Sequence, residues 1–140
     1  MKQIKLVGFT ITKINAEKNP GFNGDIKIKP DIKVISIEKY KLELIKTDGL
    51  KINFLFSVDY GQLGKLIIEG YLILLPEAKE LKEILNKWKD EKIEDNVQVL
   101  ILNLILQRCS LKALQIEEDM TLPLHIQMPR FQSSNENKKN

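Results

Sequence analysis

The sequence predicts an α+β chain, a four-stranded antiparallel β-meander followed by two helices. Three observations predict it. Large apolar residues recur with a period of two through the first half, the period changes to 3.6 at Pro76, and the strand candidates are joined by turn-like sequence. A length of 140 residues suits one domain with its own core, and 43% hydrophobic with 29% charged residues excludes global disorder. We expect a single domain over residues 1–131 and a loose polar tail, QSSNENKKN, over 132–140.

Lys5 to Asn15 forms a first strand, ended by NPGFNG. From Asp25 to Leu44 the alternation is imperfect. Ile26, Ile28, Ile32 and Val34 share one phase and Ile35 and Ile37 the other, which predicts a bulge or bend near Ser36. Lys51 to Tyr60, KINFLFSVDY, carries the clearest strand signature, with Ile52, Phe54, Phe56, Val58 and Tyr60 on its core face. The turn GQLG leads to Lys65–Leu75, KLIIEGYLILL, apolar on both faces apart from Lys65 and Glu69, and the two segments read as a hairpin. Sequential strands with short connections make a meander the default order.

Pro76 suits a first helical position, with Glu77 and Glu80 at the positive end of the helix and Ala78, Leu81, Leu85 and Trp88 as its apolar stripe. Asp95 and Gln98 have capping-box spacing for a second helix running to about Glu118. In its first half Val97, Val99, Leu100, Ile101, Leu102, Leu104, Ile105 and Leu106 nearly encircle the axis, leaving Asn96, Asn103, Gln107 and Ser110 as a thin polar stripe. Such a helix must be covered on more than one side, and a single sheet covers only one. The run Val97–Leu106 is far shorter than the ~20 residues that span a bilayer, so a buried helix is expected and no membrane partner. The excess apolar surface implies self-association, an apolar groove for polypeptide, or both.

A net charge of +3 is a mild basic excess. Lys2, Lys5, Lys13, Lys27, Lys29, Lys33 and Lys39 interleave with Phe9, Phe22 and Tyr40, a pattern that serves single-stranded nucleic acid by stacking and charge, or serves edge strands as protection against aggregation. The second reading is favoured. The lone cysteine, Cys109, forms no intramolecular disulfide, and the N-terminus lacks signal-peptide features, so a cytoplasmic setting is expected. Cys109 with His125 could pair as nucleophile and base, but the cysteine lies on an apolar helix and reads as a small buried hydrophobe; one cysteine and one histidine are too few for a metal site. GQLGK lacks the first glycine and the Ser or Thr of a phosphate loop. The mixed charges of Glu77 to Asp95 mark a solvated helix face. No catalytic residue, cofactor or metal is expected.

Two segments, FLFSVDYGQLGKLIIEGYLIL and NLILQRCSLKALQIEEDMTLPLHIQMPRF, follow a characteristic order: strand, glycine-bearing turn, strand, then a long cysteine-bearing helix and a proline-bracketed apolar run. In that order the chain resembles the SecB family of export chaperones, over about Lys5 to Phe131. The resemblance implies a four-stranded antiparallel sheet with helices on one face, assembled as a dimer of dimers that holds unfolded polypeptide in apolar grooves without ATP. This chain departs from the family in three ways. No final helix is expected in the polar residues after Phe131, the charge is basic where bacterial members are acidic, which argues against docking on the SecA motor, and Glu118 and Asp119 stand where a glycine tends to close the long helix.

The functional expectation is a non-enzymatic chaperone or holdase-like homo-oligomer that binds unfolded or partner polypeptides. The alternatives are a basic β-sheet protein for single-stranded nucleic acid and an interaction subunit dedicated to one partner, such as a toxin or viral protein. Leu122, Leu124, Ile126, Met128, Phe131 and Trp88 are the groove candidates. Pro123 and Pro129 keep the run extended, alternation sends its apolar residues to one surface, and Phe131 anchors the end. Core closure is the competing role, above all for Leu124 and Phe131. Val99, Leu102 and Leu106 are the candidates for the oligomer interface.

Overall fold

A computed structural model of the chain describes residues 4–133; Lys2 and most of the expected polar tail lie outside them. The elements run β1 (Lys5–Lys18), β2 (Lys29–Leu42), β3 (Thr47–Asp59), β4 (Gly64–Leu75), α1 (Ala78–Trp88) and α2 (Asp95–Met120). The strands form one antiparallel sheet, so the α+β architecture of four strands and two helices is as the period change indicates.

Strand order corrects the simple meander. β2, β3 and β4 are consecutive neighbours, but β1 lies beside β4, giving the order β1-β4-β3-β2. A plain meander would leave β4 at an edge; in the observed order it lies inside the sheet, paired with β1 and β3. The β1–β2 connection can cross the sheet because it is not a tight turn. Residues 19–28 extended reach up to roughly 30 Å, against ~15 Å for three strand spacings. β2, with Pro30 and four lysines, suits the opposite edge. Its register slips between Val34 and Ser36, leaving Ile35 as the bulged residue, where the change of phase placed the irregularity.

Alternation in β3 and β4 buries Leu50, Ile52, Phe54, Phe56 and Val58 beside Leu66, Ile68, Leu72 and Leu74 on one face. That face receives Leu81 and Ile84 of α1 and Val97, Ile101, Ile105, Cys109 and Ala113 of α2. Gly70 lets β1 approach β4 closely, since a Cβ there would stand 2.2 Å from the carbonyl oxygen of Thr10 and 3.0 Å from the Phe54 ring.

The helix starts differ from expectation. Glu77, not Pro76, precedes the first turn of α1, and Asp95 lies inside α2 after Glu94, whose side chain makes no capping bond, so the Asp95–Gln98 capping box does not form. The backbone bond from Gln98 N–H to Glu94 C=O, 2.8 Å, starts the ladder instead.

The buried residues Val97, Ile101, Ile105, Cys109, Ala113 and Glu117 recur every four positions. At about 100° per residue each step turns this line some 40° around the axis, so no flat layer can follow it from end to end. The sheet covers its beginning, and the chain after the helix covers its end. The rest of α2 is open. Only 28% of its most apolar 18-residue window is buried, so the expectation of a buried helix fails for its outer face. By length and composition α2 could cross a membrane. It supplies Ile101, Ile105, Cys109 and Ala113 to the core, however, and moving it into lipid would strip the sheet's inner face.

Candidate functional site

Thr121 ends α2 with a left-handed backbone, φ 54° and ψ 44°. The Leu122 N–H reaches back to Glu117 C=O at 2.8 Å and the Thr121 N–H to Glu118 C=O at 3.3 Å, a Schellman closure made without glycine. No basic residue lies in the helix's last turn; instead Lys18 Nζ, from β1, donates to the carbonyls of Met120 at 2.8 Å and Thr121 at 3.1 Å. A cation from the edge strand thus complements the negative helix end. The chain turns back there and runs over α2 as an irregular strap, residues 122–131.

The strap does not alternate as a strand would. Its deepest side chains are Leu122, which is buried, and His125, three residues on. The His125 and Glu117 side chains are 1% and 0% exposed. His125 Nδ1 lies 2.8 Å and 3.0 Å from the two carboxylate oxygens of Glu117, and the His125 backbone N–H donates to the same carboxylate at 3.2 Å. The Tyr60 hydroxyl donates to Glu117 Oε2. His125 Nε2 is 3.1 Å from Ser110 Oγ, and Phe56 packs edge-on to the imidazole with centroids 5.9 Å apart. An Nδ1 facing a carboxylate must carry a proton, so in the neutral ring Nε2 accepts and the Ser110 hydroxyl donates. Burial, then the hydrogen bond to Glu117 and its charge, push the Tyr60 phenol well above its ordinary range. Tyr60, Ser110, Glu117 and His125 form a closed polar cluster at the edge of the core.

The cluster has the connectivity of a hydrolytic serine triad, but Ser110 lies within α2. Backbone N–H groups inside a helix are taken up by its own ladder, so they cannot supply the paired donors that stabilise an acyl-transfer oxyanion. The polar cluster can therefore hold a segment in place, and the helix that carries Ser110 brings no free backbone N–H pair beside it. Cys109 points into the core, and burial raises its thiol to about 12; both His125 ring nitrogens face other partners.

Beside the cluster a cavity of about 410 Å³ opens at the surface, lined by Leu106, Gln107, Ser110, Leu111, Leu114 and Ile126. Apart from Gln107 and Ser110 its walls are aliphatic. The groove candidates divide accordingly. Ile126 lines the cavity, and Leu124 and Met128 are exposed nearby along the strap. Leu122 belongs to the core. Phe131 is fully exposed, so it anchors nothing, and core closure fails for Phe131 and for Leu124. Trp88 packs against the core from α1 and is not among the cavity residues. Val99, 58% exposed, half-buried Leu102 and exposed Leu106 share the open face of α2 at i, i+3 and i+7 spacing.

Sequence reasoning missed Leu111, Leu114, Glu117 and the buried role of Ser110. One signal for Glu117 was present: the four-residue recurrence from Val97 to Ala113 continues onto it. Of the aromatic residues interleaved with lysine, Phe9 stacks on Phe54 at 5.2 Å and Phe22 packs on the core, leaving Tyr40 exposed, which dismantles a continuous stacking platform for bases. No family model, curated protein or solved structure matches this chain.

Proposed function

We propose that this chain is a non-enzymatic, chaperone-like subunit that acts as a homo-oligomer, a dimer of dimers in the manner of the SecB family, and binds extended apolar segments of unfolded or partner polypeptides. The observation that carries the reading is the aliphatic cavity between α2 and the strap, with Leu111, 65% exposed, on one side and Ile126 on the other, and with Leu124 and Met128 exposed farther along the strap. Contiguous exposed aliphatic surface of this kind marks an interaction site. A polypeptide suits it better than a charged ligand, because no charged residue occurs from Asn96 to Gln107 and none lines the cavity. Methionine on the strap supplies a contact that adapts to varied side chains.

Capture by apolar burial should survive salt. Delayed aggregation of a chemically denatured client is expected at ~0.5 M salt, where charge screening reaches only a few ångström. Ile126→Ser and Met128→Ser should each weaken capture about three- to tenfold with melting temperature nearly unchanged, since both side chains are largely exposed. Wild-type protein that gives no delay at any ratio to client would sink the reading, and so would steeply salt-dependent binding of oligonucleotide in its place.

A further inference from the structure

We propose that His125 is the positioning residue of the groove, a buried polar peg that fixes a strap able to open as a unit. The claim about capture rests on the function proposed above; the claim about the strap does not.

Among the described residues the strap has little else to hold it. It has no ladder pairing, Pro123 and Pro129 bring no N–H, and Leu124, Ile126, Met128 and Phe131 are exposed. Its ties to α2 run through Leu122 at the hinge and through His125, whose backbone N–H, Nδ1 and Nε2 engage Glu117 and Ser110, and its tie to β3 is the edge-on contact of His125 with Phe56. Ile126, the strap's contribution to the cavity wall, is the next residue along, so its Cα is fixed about 3.8 Å from the peg.

The polar character of the peg sets how the strap behaves. An apolar anchor could slide or repack among neighbouring leucines, whereas hydrogen bonds to two carboxylate oxygens and one hydroxyl select one seating. Removing His125 leaves Glu117 buried with Tyr60 as its remaining side-chain partner among the described residues, an environment hostile to a carboxylate. The strap is therefore either seated with the cluster complete or lifted with the cluster opened to water. Intermediate positions are disfavoured. The upstream hinge is independently fixed by Lys18 on the Met120 and Thr121 carbonyls, so lifting need not unwind α2.

Hydrogen–deuterium exchange of the full chain, read by mass spectrometry, tests this. In wild-type protein, peptides over 123–128 should exchange together and at least tenfold faster than those of β3 and of residues 97–106. His125→Ala should speed strap exchange at least another tenfold while β3 keeps its protection, and His125→Asn, which retains a donor for Glu117, should recover part of the loss. Client capture should fall in His125→Ala in step with strap exchange. Strap peptides that exchange in step with β3 in wild type, or that do not respond to His125→Ala, would overturn the proposal, as would loss of β3 protection in that variant. Should wild-type protein fail to capture a client, the groove reading falls while the exchange data still decide the peg.

Discussion

Cys109 is fully buried on the core side of α2, and that burial lifts its thiol from an ordinary 9.0 to about 12. Alkylation requires the thiolate, so Cys109 should resist iodoacetamide at about pH 8 in the native state and react once the chain is unfolded. Rapid labelling of folded protein would contradict its placement. The same burial bears on stability. A thiol whose folded value is raised holds its proton where the unfolded chain has already released it, so its contribution is fully present below pH 9.0 and is lost as pH rises toward 12. The Tyr60 phenol, raised by burial and by Glu117, acts in the same direction. Urea midpoints should therefore decline from about pH 9 upward, with Cys109→Ala and Tyr60→Phe each flattening part of the slope; a midpoint constant to pH 11 would refute the linkage. At this scale the sequence was readable where chemistry follows pattern and unreadable where it follows chain reversal. Cys109 falls on the apolar line of its helix. His125 joins Ser110 and Glu117 only because the chain folds back at Thr121, and no local period announces that return.

The elements were legible wherever one face is core. β3 and β4 were readable because Ile52 to Val58 and Leu66 to Leu74 must alternate to bury one side, and the Ile35 bulge because a change of phase cannot be paired otherwise. The position of β1 was not, since alternation sets a strand's face and says nothing about its neighbour. The capping box was over-read from two residues at the right spacing, and the strap from prolines that restrict the chain without making it a strand. The end of α2 carries its own prediction. Thr121 occupies a left-handed conformation at φ 54°, which disfavours a β-branched residue. Thr121→Gly should relieve that strain and stabilise the protein by about 1 kcal/mol, raising the melting temperature by a few degrees. Because Lys18 bonds the backbone carbonyl of Thr121 and not its side chain, that contact survives the change. A lower melting temperature would show that the threonine side chain contributes something its hinge conformation does not reveal.

The whole molecule presents one conflict: a helix whose first half is apolar almost all round, covered by the sheet on one side and by the strap at its far end. The uncovered remainder is the N-terminal half of the outer face, where Val99, Leu102 and Leu106 line up without a charged neighbour from Asn96 to Gln107. A second copy brought against it by a two-fold axis would meet the same uncharged row, so no repulsion opposes antiparallel contact, and Asn103 beside that row offers a polar group for fixing register. Leu106 also lines the cavity, so such an interface would border the groove. Light scattering should therefore give a multiple of the 16.2 kDa chain at micromolar concentration. Leu102→Glu should weaken association at least tenfold while circular dichroism stays native, because Leu102 is only half-buried within the subunit and a glutamate there can reach water once the partner leaves. Ile105→Glu is the contrasting case: fully buried under the sheet, it should unfold the subunit itself. A wild-type chain that stays monomeric to ~100 μM, well above the micromolar range of specific complexes, would remove the interface and leave the open face of α2 to the groove alone.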